Sequence, residues 1–378
     1  MDNLIYDRAW IEINLGNLEH NINEVKTLLK GHTKIMAVVK ANAYGHGSTL
    51  IARKLMQLGI IDFAVATLEE GIELRKNNIT GNILILGYTS PEDLKYVITY
   101  DLIQTIVDYD YAEKIKTLDL DKRLKCHVKI NTGMNRIGER FDHYDKLLAI
   151  YKNPSLDILG TFSHLCAADS KEEDDIKFTH DQINNFNQAI GYLKSKGINP
   201  GKLHLQASYG TLNYEVGPYD FVRIGILIHG VHSLNSVYRK RNLDLKPVLS
   251  VKAKVTSIRE IIKGETVGYS RTFKASSKMK IAALSIGYAD GFFRSLSGKD
   301  MLVKINGSFH KVIGRICMDQ MIIDVTGLDN VKEGDIVTLI GMEKEIGAEA
   351  TAKKAGTTSY ELLTRLGSRL KRTVIDDK

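Results

Sequence analysis

The sequence predicts an α/β protein in which an N-terminal (β/α)8 barrel of the TIM type precedes a smaller, mainly β domain. Three observations carry that reading. Eight short apolar runs alternate with helix-like segments through the first 230 residues, the count and order of such a barrel. The runs are near-continuously apolar rather than alternating, as expected for strands buried on both faces of a parallel sheet. Past residue 240 the runs become short and alternating, separated by glycine turns at Lys263-Gly264-Glu265, Asn306-Gly307-Ser308 and Glu333-Gly334-Asp335. The barrel is therefore assigned to 14–240 and the β domain to 241–378. An N-terminal strand at 8–13, within the alternating stretch AWIEIN of 9–14, is expected to join the second domain.

The barrel strands are expected, in order, at 34–40 (KIMAVVK), 62–67 (DFAVAT), 82–87 (NILILG), 103–108 (IQTIVD), 125–131 (KCHVKIN), 157–164 (DILGTFSH), 202–208 (KLHLQAS) and 221–228 (FVRIGILI). Between them, 47–58 places Leu50, Ile51, Leu55 and Leu58 at helical spacing. The segment 91–100 opens on Ser90-Pro91-Glu92-Asp93, an N-cap followed by proline at the first helical position. The longest, 172–196, begins with four acids where the helix dipole favours negative charge. A doubly wound open sheet is the alternative, but no GxGxxG follows the first strand. In the second domain no long helical period is expected before 358–366, where Thr358-Ser359-Tyr360-Glu361 has capping-box spacing.

Composition narrows the function. A chain of 378 residues suggests two domains, and 43% apolar with 26% charged residues is ordinary for a soluble globular protein. The net charge of +7 invites a nucleic-acid partner, but residues 241–378 hold 24 basic and 16 acidic residues, leaving 28 and 29 in the first 240. The excess is scattered over the last third at positions such as Lys278, Lys353, Lys354 and Lys371, which read as solvated surface, so no nucleic-acid partner is expected. No run of roughly 18 apolar residues marks a membrane span. Met1-Asp2-Asn3-Leu4 lacks the features of a signal peptide. Three widely spaced cysteines, Cys126, Cys166 and Cys317, suit neither a disulfide framework nor a cysteine-based metal site, so no metal is expected and a reducing cytoplasm is the expected setting.

In a barrel of this type the chemistry sits at the C-terminal ends of the strands. The first strand runs through apolar residues to Lys40 and then into Ala41-Asn42-Ala43-Tyr44-Gly45-His46-Gly47. A lysine closing a buried strand must be paired, used or led out to solvent. The fifth strand carries Lys129 and leads to Arg136, the sixth ends on His164, the seventh on Ser208 and the eighth carries Arg223 before Gly225. The loops after strands seven and eight form the recurrent phosphate site of these barrels, and Ser208 with the N–H groups near Gly225 suits a phosphate dianion. A lysine, a phosphate site and a barrel point to pyridoxal 5'-phosphate, though spacing alone leaves an aldolase with a Schiff-base lysine equally open.

Residues 37–47, AVVKANAYGHG, resemble the cofactor-lysine motif of the alanine racemases. Thr132-Gly133-Met134-Asn135-Arg136-Ile137-Gly138, Val267-Gly268-Tyr269-Ser270, Gly287-Tyr288-Ala289-Asp290-Gly291 and Gly314-Arg315-Ile316-Cys317-Met318-Asp319-Gln320 are similar to four more of that family's motifs, in order along the whole chain. The resemblance implies a pyridoxal-phosphate-dependent racemase acting on L- and D-alanine, a homodimer whose sites are completed across the subunit interface, and a role in supplying D-amino acid for peptidoglycan precursors. Lys40 would hold the cofactor and act as one base. Tyr269 of the partner subunit would be the other, helped by His164 and Arg223, because a phenol of ordinary pKa about 10 is a poor base at neutral pH. Arg223 would also face the pyridine nitrogen. Tyr44, Ser208, Gly225, Ile226 and Tyr360 would hold the phosphate. Arg136 would contact the cofactor and the substrate carboxylate, and Met318 would offer its N–H to that carboxylate. Lys129 matches a position often carbamylated, and Tyr288 and Asp319 would line the entrance. The chain has Arg223-Ile224-Gly225, His229-Gly230 and Leu370-Lys371-Arg372 where the family usually has Arg-Pro-Gly, Tyr-Gly and Val-Pro-Arg. The serine/alanine racemases of vancomycin resistance are close to the same pattern, so serine stands beside alanine as a substrate, while a barrel-type decarboxylase and a cofactor-homeostasis protein fit the second domain poorly.

Overall fold

The computed structural model describes residues 8–234 and 238–375; Met1-Asp2-Asn3-Leu4 and the last three residues assigned to the β domain lie outside them. Eight parallel strands close into a barrel: Lys34–Val38, Asp62–Val65, Asn82–Ile85, Ile103–Ile106, Leu124–Asn131, Leu156–Phe162, Lys202–Ala207 and Phe221–Ile224. Each pairs with its neighbours in chain order, the eighth with the first, and Gln104↔Cys126 to Ile106↔Val128 join the fourth to the fifth. Helices such as Ser48–Gln57 and Glu173–Ser195 cover the outside. Glu173, Asp174 and Asp175 sit in the first turn of the latter, matching the helix dipole. The segment opened by Pro91 divides into a 3-10 turn, Pro91–Asp93, and the helix Leu94–Thr99.

Several strands stop short of the apolar runs that predict them. The first ends at Val38, not Lys40: Val39 N–H donates to Ala64 O at 2.9 Å, and beyond it the backbone turns left-handed and leaves the ladder. The seventh ends at Ala207, so Ser208 opens the helix Ser208–Asn213. The eighth ends at Ile224, and after Gly225 the apolar run Ile226–His229 coils as a 3-10 turn. The eighth run overshoots because the turn that follows, Ile226–His229, is itself apolar and buried.

The second region is a β structure built around the long strand Leu249–Ile261. Its first half pairs with Ala9–Asn14 on one side and Ile336–Ile340 on the other; its second half pairs with Met279–Leu284. Met321–Asp324, Ser308–Ile313 and Leu302–Ile305 complete a ring back to Ile336–Ile340. Strand Ala9–Asn14 buries every second residue and also pairs in parallel with Lys371–Ile375, so both ends of the chain meet in this sheet. One continuous apolar cluster runs from the barrel through Leu18 and Ile22 to Val248, Leu362 and Leu366. A helix at Ala348–Ala355 is not expected from the sequence, because its buried face is only Ala348, Thr351 and Ala352, too small to register as an apolar stripe. At the next helix, Thr358 caps Ser359–Thr364 through the Glu361 N–H, while the Glu361 carboxylate bonds Thr357 rather than closing the reciprocal arm.

The barrel interior contains polar side chains. His127 on strand five and His204 on strand seven are buried, Nδ1 to Nε2 at 2.7 Å, with His204 stacked on Phe162 at 4.8 Å. Burial, with the Arg223 charge, pulls His127 down to about 3, so the imidazole stays neutral in the folded protein. Unfolded histidine titrates near 6.5. Below that pH the unfolded chain takes a proton that the folded one refuses, so this histidine costs nothing above about 6.5 and destabilises increasingly down to about 3. The slope is up to about 1.4 kcal/mol per pH unit per histidine. Urea midpoints are therefore expected to fall between pH 7.5 and 5.5, and to fall less in His127→Gln; equal losses in the two proteins would refute neutral burial.

Candidate active site

A cavity of about 900 Å³ opens over the C-terminal ends of the barrel strands. It is lined by Lys40, Tyr44, Lys129, Arg136, His164, Ser208, Arg223, Gly225, Ile226 and Tyr360, ten of the residues the sequence singles out, which come from strands, helices and loops spread over nearly the whole chain. The size suits a cofactor-sized ligand.

Lys40 begins an unusual turn. Ala41, Asn42, Ala43 and Tyr44 all have positive φ, between 50° and 53°. Each such non-glycine residue costs roughly 1–2 kcal/mol. The turn persists because it is tied on all sides: Ala43 N–H to Val39 O at 2.9 Å, Gly45 N–H to Ala41 O at 3.0 Å, Gly47 N–H to Asn42 O at 2.9 Å and Ser48 N–H to Asn42 Oδ1 at 2.8 Å. Gly45 packs so closely on Leu363 that a Cβ there would run into its carbonyl oxygen. Burial is the main cause that lowers the Lys40 pKa, and Arg136 lowers it further while Glu70 opposes.

The far end of the cavity suits a phosphate. Ser208 Oγ accepts from Gly225 N–H at 3.2 Å, and a Cβ on Gly225 would run into the Tyr44 hydroxyl, so only glycine leaves this cradle open. The rings of Tyr44 and Tyr360 lie 5.8 Å apart, and burial raises the pKa of both phenols, keeping each a neutral donor. Behind Tyr44, His229 stacks on His46 at 4.0 Å.

Arg223 is buried at the floor. Its Nη1 donates to His204 Nδ1 at 2.8 Å and to His204 O at 3.1 Å. Nη2 reaches Ser163 O at 2.6 Å, Leu205 O at 2.9 Å and His164 Nδ1 at 3.2 Å. The guanidinium lies 5.2 Å from the Phe162 ring. With both ends committed, Nε is its remaining donor. Burial and Arg136 bring Arg223 down to about 9, still charged at neutral pH. Its charge in turn holds His164 and His204 well below the usual imidazole range, after burial as first cause. These donations set the tautomers: His204 accepts at Nδ1 and so donates from Nε2 to His127.

Lys129 is buried beside Phe162, with Nζ 3.2 Å from Ile130 O and 3.5 Å from Ser163 Oγ. Burial, then Arg223 and Arg136, pushes its pKa well below normal. Arg136 follows Asn135, at φ 56°, in a loop held by Asn131, whose Oδ1 accepts from Gly133 and Asn135 N–H at 3.1 and 3.0 Å.

Tyr269, Tyr288, Met318 and Asp319 do not line this cavity. They lie on the β region, and Tyr269, Met318 and Tyr288 are 65%, 53% and 38% exposed. Their loops are tied together: Tyr288 N–H donates to Cys317 O at 3.0 Å, Ala289 N–H to Met318 O at 2.9 Å and Arg369 to Asp319 at 2.8 Å. Buried Asp290, paired with Arg8, anchors the group. Tyr269 precedes Ser270 and Arg271, both left-handed.

Sequence reasoning misses His127 and His204, and the signal was present: each lies inside a barrel-strand run, flanked by apolar residues. It also misses Glu70, which bonds the backbone of the lysine turn. Among the described residues no group of three metal-ligating side chains occurs. The features fit pyridoxal phosphate on their own terms: a depressed lysine, a cradle that a Cβ would fill, and a buried arginine with one donor left over.

The family models described as "Alanine racemase, N-terminal domain" and "Alanine racemase, C-terminal domain" match residues 13–233 and 248–374. The chain is 43% identical over 366 residues to an amino-acid racemase of Enterococcus faecalis and 39% identical over 364 to a serine/alanine racemase of Enterococcus gallinarum, covering 96% of itself in each case. It spans about half the length of those relatives, 51% of each. The solved alanine racemase of Clostridium difficile 630 superimposes with a TM-score of 0.93 at 35% identity, over 99% of this chain and 97% of that one. With both family models matched end to end along the fold and site described above, this chain belongs to the alanine racemase family.

Proposed function

We propose that this chain is a pyridoxal-phosphate-dependent racemase that interconverts L- and D-alanine by a two-base mechanism, in the cytoplasm, supplying D-alanine for peptidoglycan precursors. The observation that carries the reading is Lys40, on its strained turn, opening into one cavity with a phosphate-suited cradle at Ser208, Gly225 and Tyr44 and the buried cation Arg223. When bound, the cofactor supplies the electron sink that acidifies the substrate Cα–H.

The protein's own groups supply the rest. Burial favours the neutral amine of Lys40, which can bond a carbonyl or take a proton. Ser208, Tyr44 and the Gly225 and Ile226 backbone would hold the phosphate, with Tyr360 closing over it. Arg223 would bond the ring nitrogen from Nε and keep its own proton, so that the nitrogen stays unprotonated and the ring is a weaker electron sink. Arg136 would take the substrate carboxylate. Lys129, buried beside two cations, is a good amine for carbamylation, and the new carboxylate would face Arg136.

Racemisation needs a second base on the opposite face of the substrate. Tyr269, Tyr288 and Met318 lie outside their own chain's cavity and exposed, which supports a homodimer in which each copy lends them to the other. His164, bonded to Arg223, would steer the phenol of Tyr269 of the partner subunit. Asp319 would sit with Tyr288 at the entrance. A second reading, a serine or dual serine/alanine racemase, is favoured by the similarity to the Enterococcus gallinarum relative.

Borohydride reduction of the cofactor-loaded protein is expected to fix the label on Lys40, found by peptide mapping; label on another residue would end the assignment. Tyr269→Phe is expected to slow racemisation about 10²–10⁴-fold in both directions, because an equilibrium constant of one ties the two, while exchange of the Cα proton with solvent slows much more from L-alanine than from D-alanine. A small loss of racemisation, or Cα-proton exchange slowed equally from both isomers, would sink the two-base scheme. Measured side by side, kcat/KM is expected to favour L-alanine over L-serine by no more than about a hundredfold, since a pocket built for a methyl rejects an added hydroxyl weakly. A preference for serine would move the function to the second reading.

A further inference from the structure

Glu70 stands three residues after Thr67, the N-cap of the helix Leu68–Lys76, whose side chain accepts from the Glu70 N–H at 3.4 Å. That spacing is a capping box, in which the carboxylate would return to the N–H of the cap itself. Glu70 bonds elsewhere. Its Oε2 accepts from Ala66 N–H at 2.7 Å, and its Oε1 accepts from Ala41 N–H at 2.6 Å. Ala66 follows the second barrel strand; Ala41 follows Lys40. The carboxylate thus leaves its helix to tie two barrel loops together, at the first amide of the left-handed turn.

We propose that Glu70 is the positioning residue for Lys40: its carboxylate fixes the entry to the turn 41–44 and thereby the point from which the Lys40 amine reaches into the cavity. The proposal rests on the role assigned to Lys40 above. The far end of the turn is gripped separately, by Arg372, whose Nε donates to Gly45 O at 3.1 Å while its terminal nitrogens hold Leu366, Gly367 and Leu370 carbonyls at 2.8 Å. A turn of four strained residues held firmly at one end and loosely at the other would relax at its loose end, where Lys40 sits. Charge-assisted bonds are the stronger kind, and Glu70 makes two of them with one side chain. Its negative charge also opposes the loss of basicity that burial and Arg136 impose on Lys40.

Glutamine at 70 presents its NH2 to one of the two amide donors and keeps at most one bond. Aspartate is one methylene short and reaches one loop. The test compares wild type, Glu70→Gln and Glu70→Asp as cofactor-loaded enzyme, with Glu69→Gln, an exposed neighbour, as control. Amide hydrogen exchange in 41–44 is expected to speed up at least about tenfold in Glu70→Gln. The kcat for alanine is expected to fall about ten- to a hundredfold with KM changed much less, as for a displaced reacting group. Aspartate is expected to recover part of both, and Glu69→Gln to change neither. Unchanged exchange in 41–44, or faster exchange spread evenly over the barrel with a matching fall in Tm, would overturn the proposal. So would faster exchange in the turn with unchanged kcat. If wild type failed to racemise while the turn still loosened, the functional reading would fall and the clamp on the Lys40 turn would stand.

Discussion

The site depends on keeping the guanidinium of Arg223 charged inside a barrel where no described carboxylate pairs with it. A buried cation without an anion is costly, and the usual answer is an aspartate or glutamate. Here the charge is met by dipoles instead: three backbone carbonyls, two imidazole nitrogens and one aromatic face. Those carbonyls belong to Ser163, His204 and Leu205, on the ends of neighbouring strands six and seven, so the barrel has to close before Arg223 can be housed. The consequences spread outward. His204 and His164 are held neutral, the tautomers of His204 and His127 follow, and Lys129 loses basicity in the same field. A carboxylate beside Arg223 would satisfy the charge locally and dissolve this coupling.

A second constraint is conformational. Three of the loops that carry candidate chemistry contain left-handed non-glycine residues: 41–44 after Lys40, Asn135 before Arg136, and Ser270 with Arg271 after Tyr269. Such turns aim a side chain where a relaxed loop would not, and they last only where surroundings over-determine them. For the lysine turn the surroundings come from far along the chain, with Leu363 packed on Gly45 and Arg372 bonded to its carbonyl. Leu363 and Arg372, in the β region, therefore brace the first loop of the barrel. The two regions share one core for the same reason they share one site.

In the proposed two-base reaction the base opposite Lys40 is Tyr269, which is exposed and does not line its own chain's cavity. It lies on the β region with Tyr288 and Met318, whose own loops are joined by Tyr288–Cys317 and Ala289–Met318 backbone bonds. On that proposal, the exposure of these three residues is what donation to a second copy requires.

Much of this was legible in the chain alone. Near-continuous apolar runs alternating with helical periods announced a parallel barrel, because strands buried on both faces carry no polar alternation. The motif around Lys40, with the loops around Arg136, Ser208 and Arg223, marked the strand ends that carry chemistry. What only the tertiary structure decided is spatial. The runs could not show where strands stop: Lys40 and Ile226 fall in turns, Ser208 opens a helix, and the turn Ile226–His229 is as apolar as the strand before it. The helix Ala348–Ala355 escaped notice because its buried face is alanine and threonine. The contacts of Glu70, His127 and His204 were invisible for one physical reason. A hydrogen bond is fixed by where two atoms end up, and no local pattern records that residue 70 meets residue 41, or that 127 meets 204 and 204 meets 223.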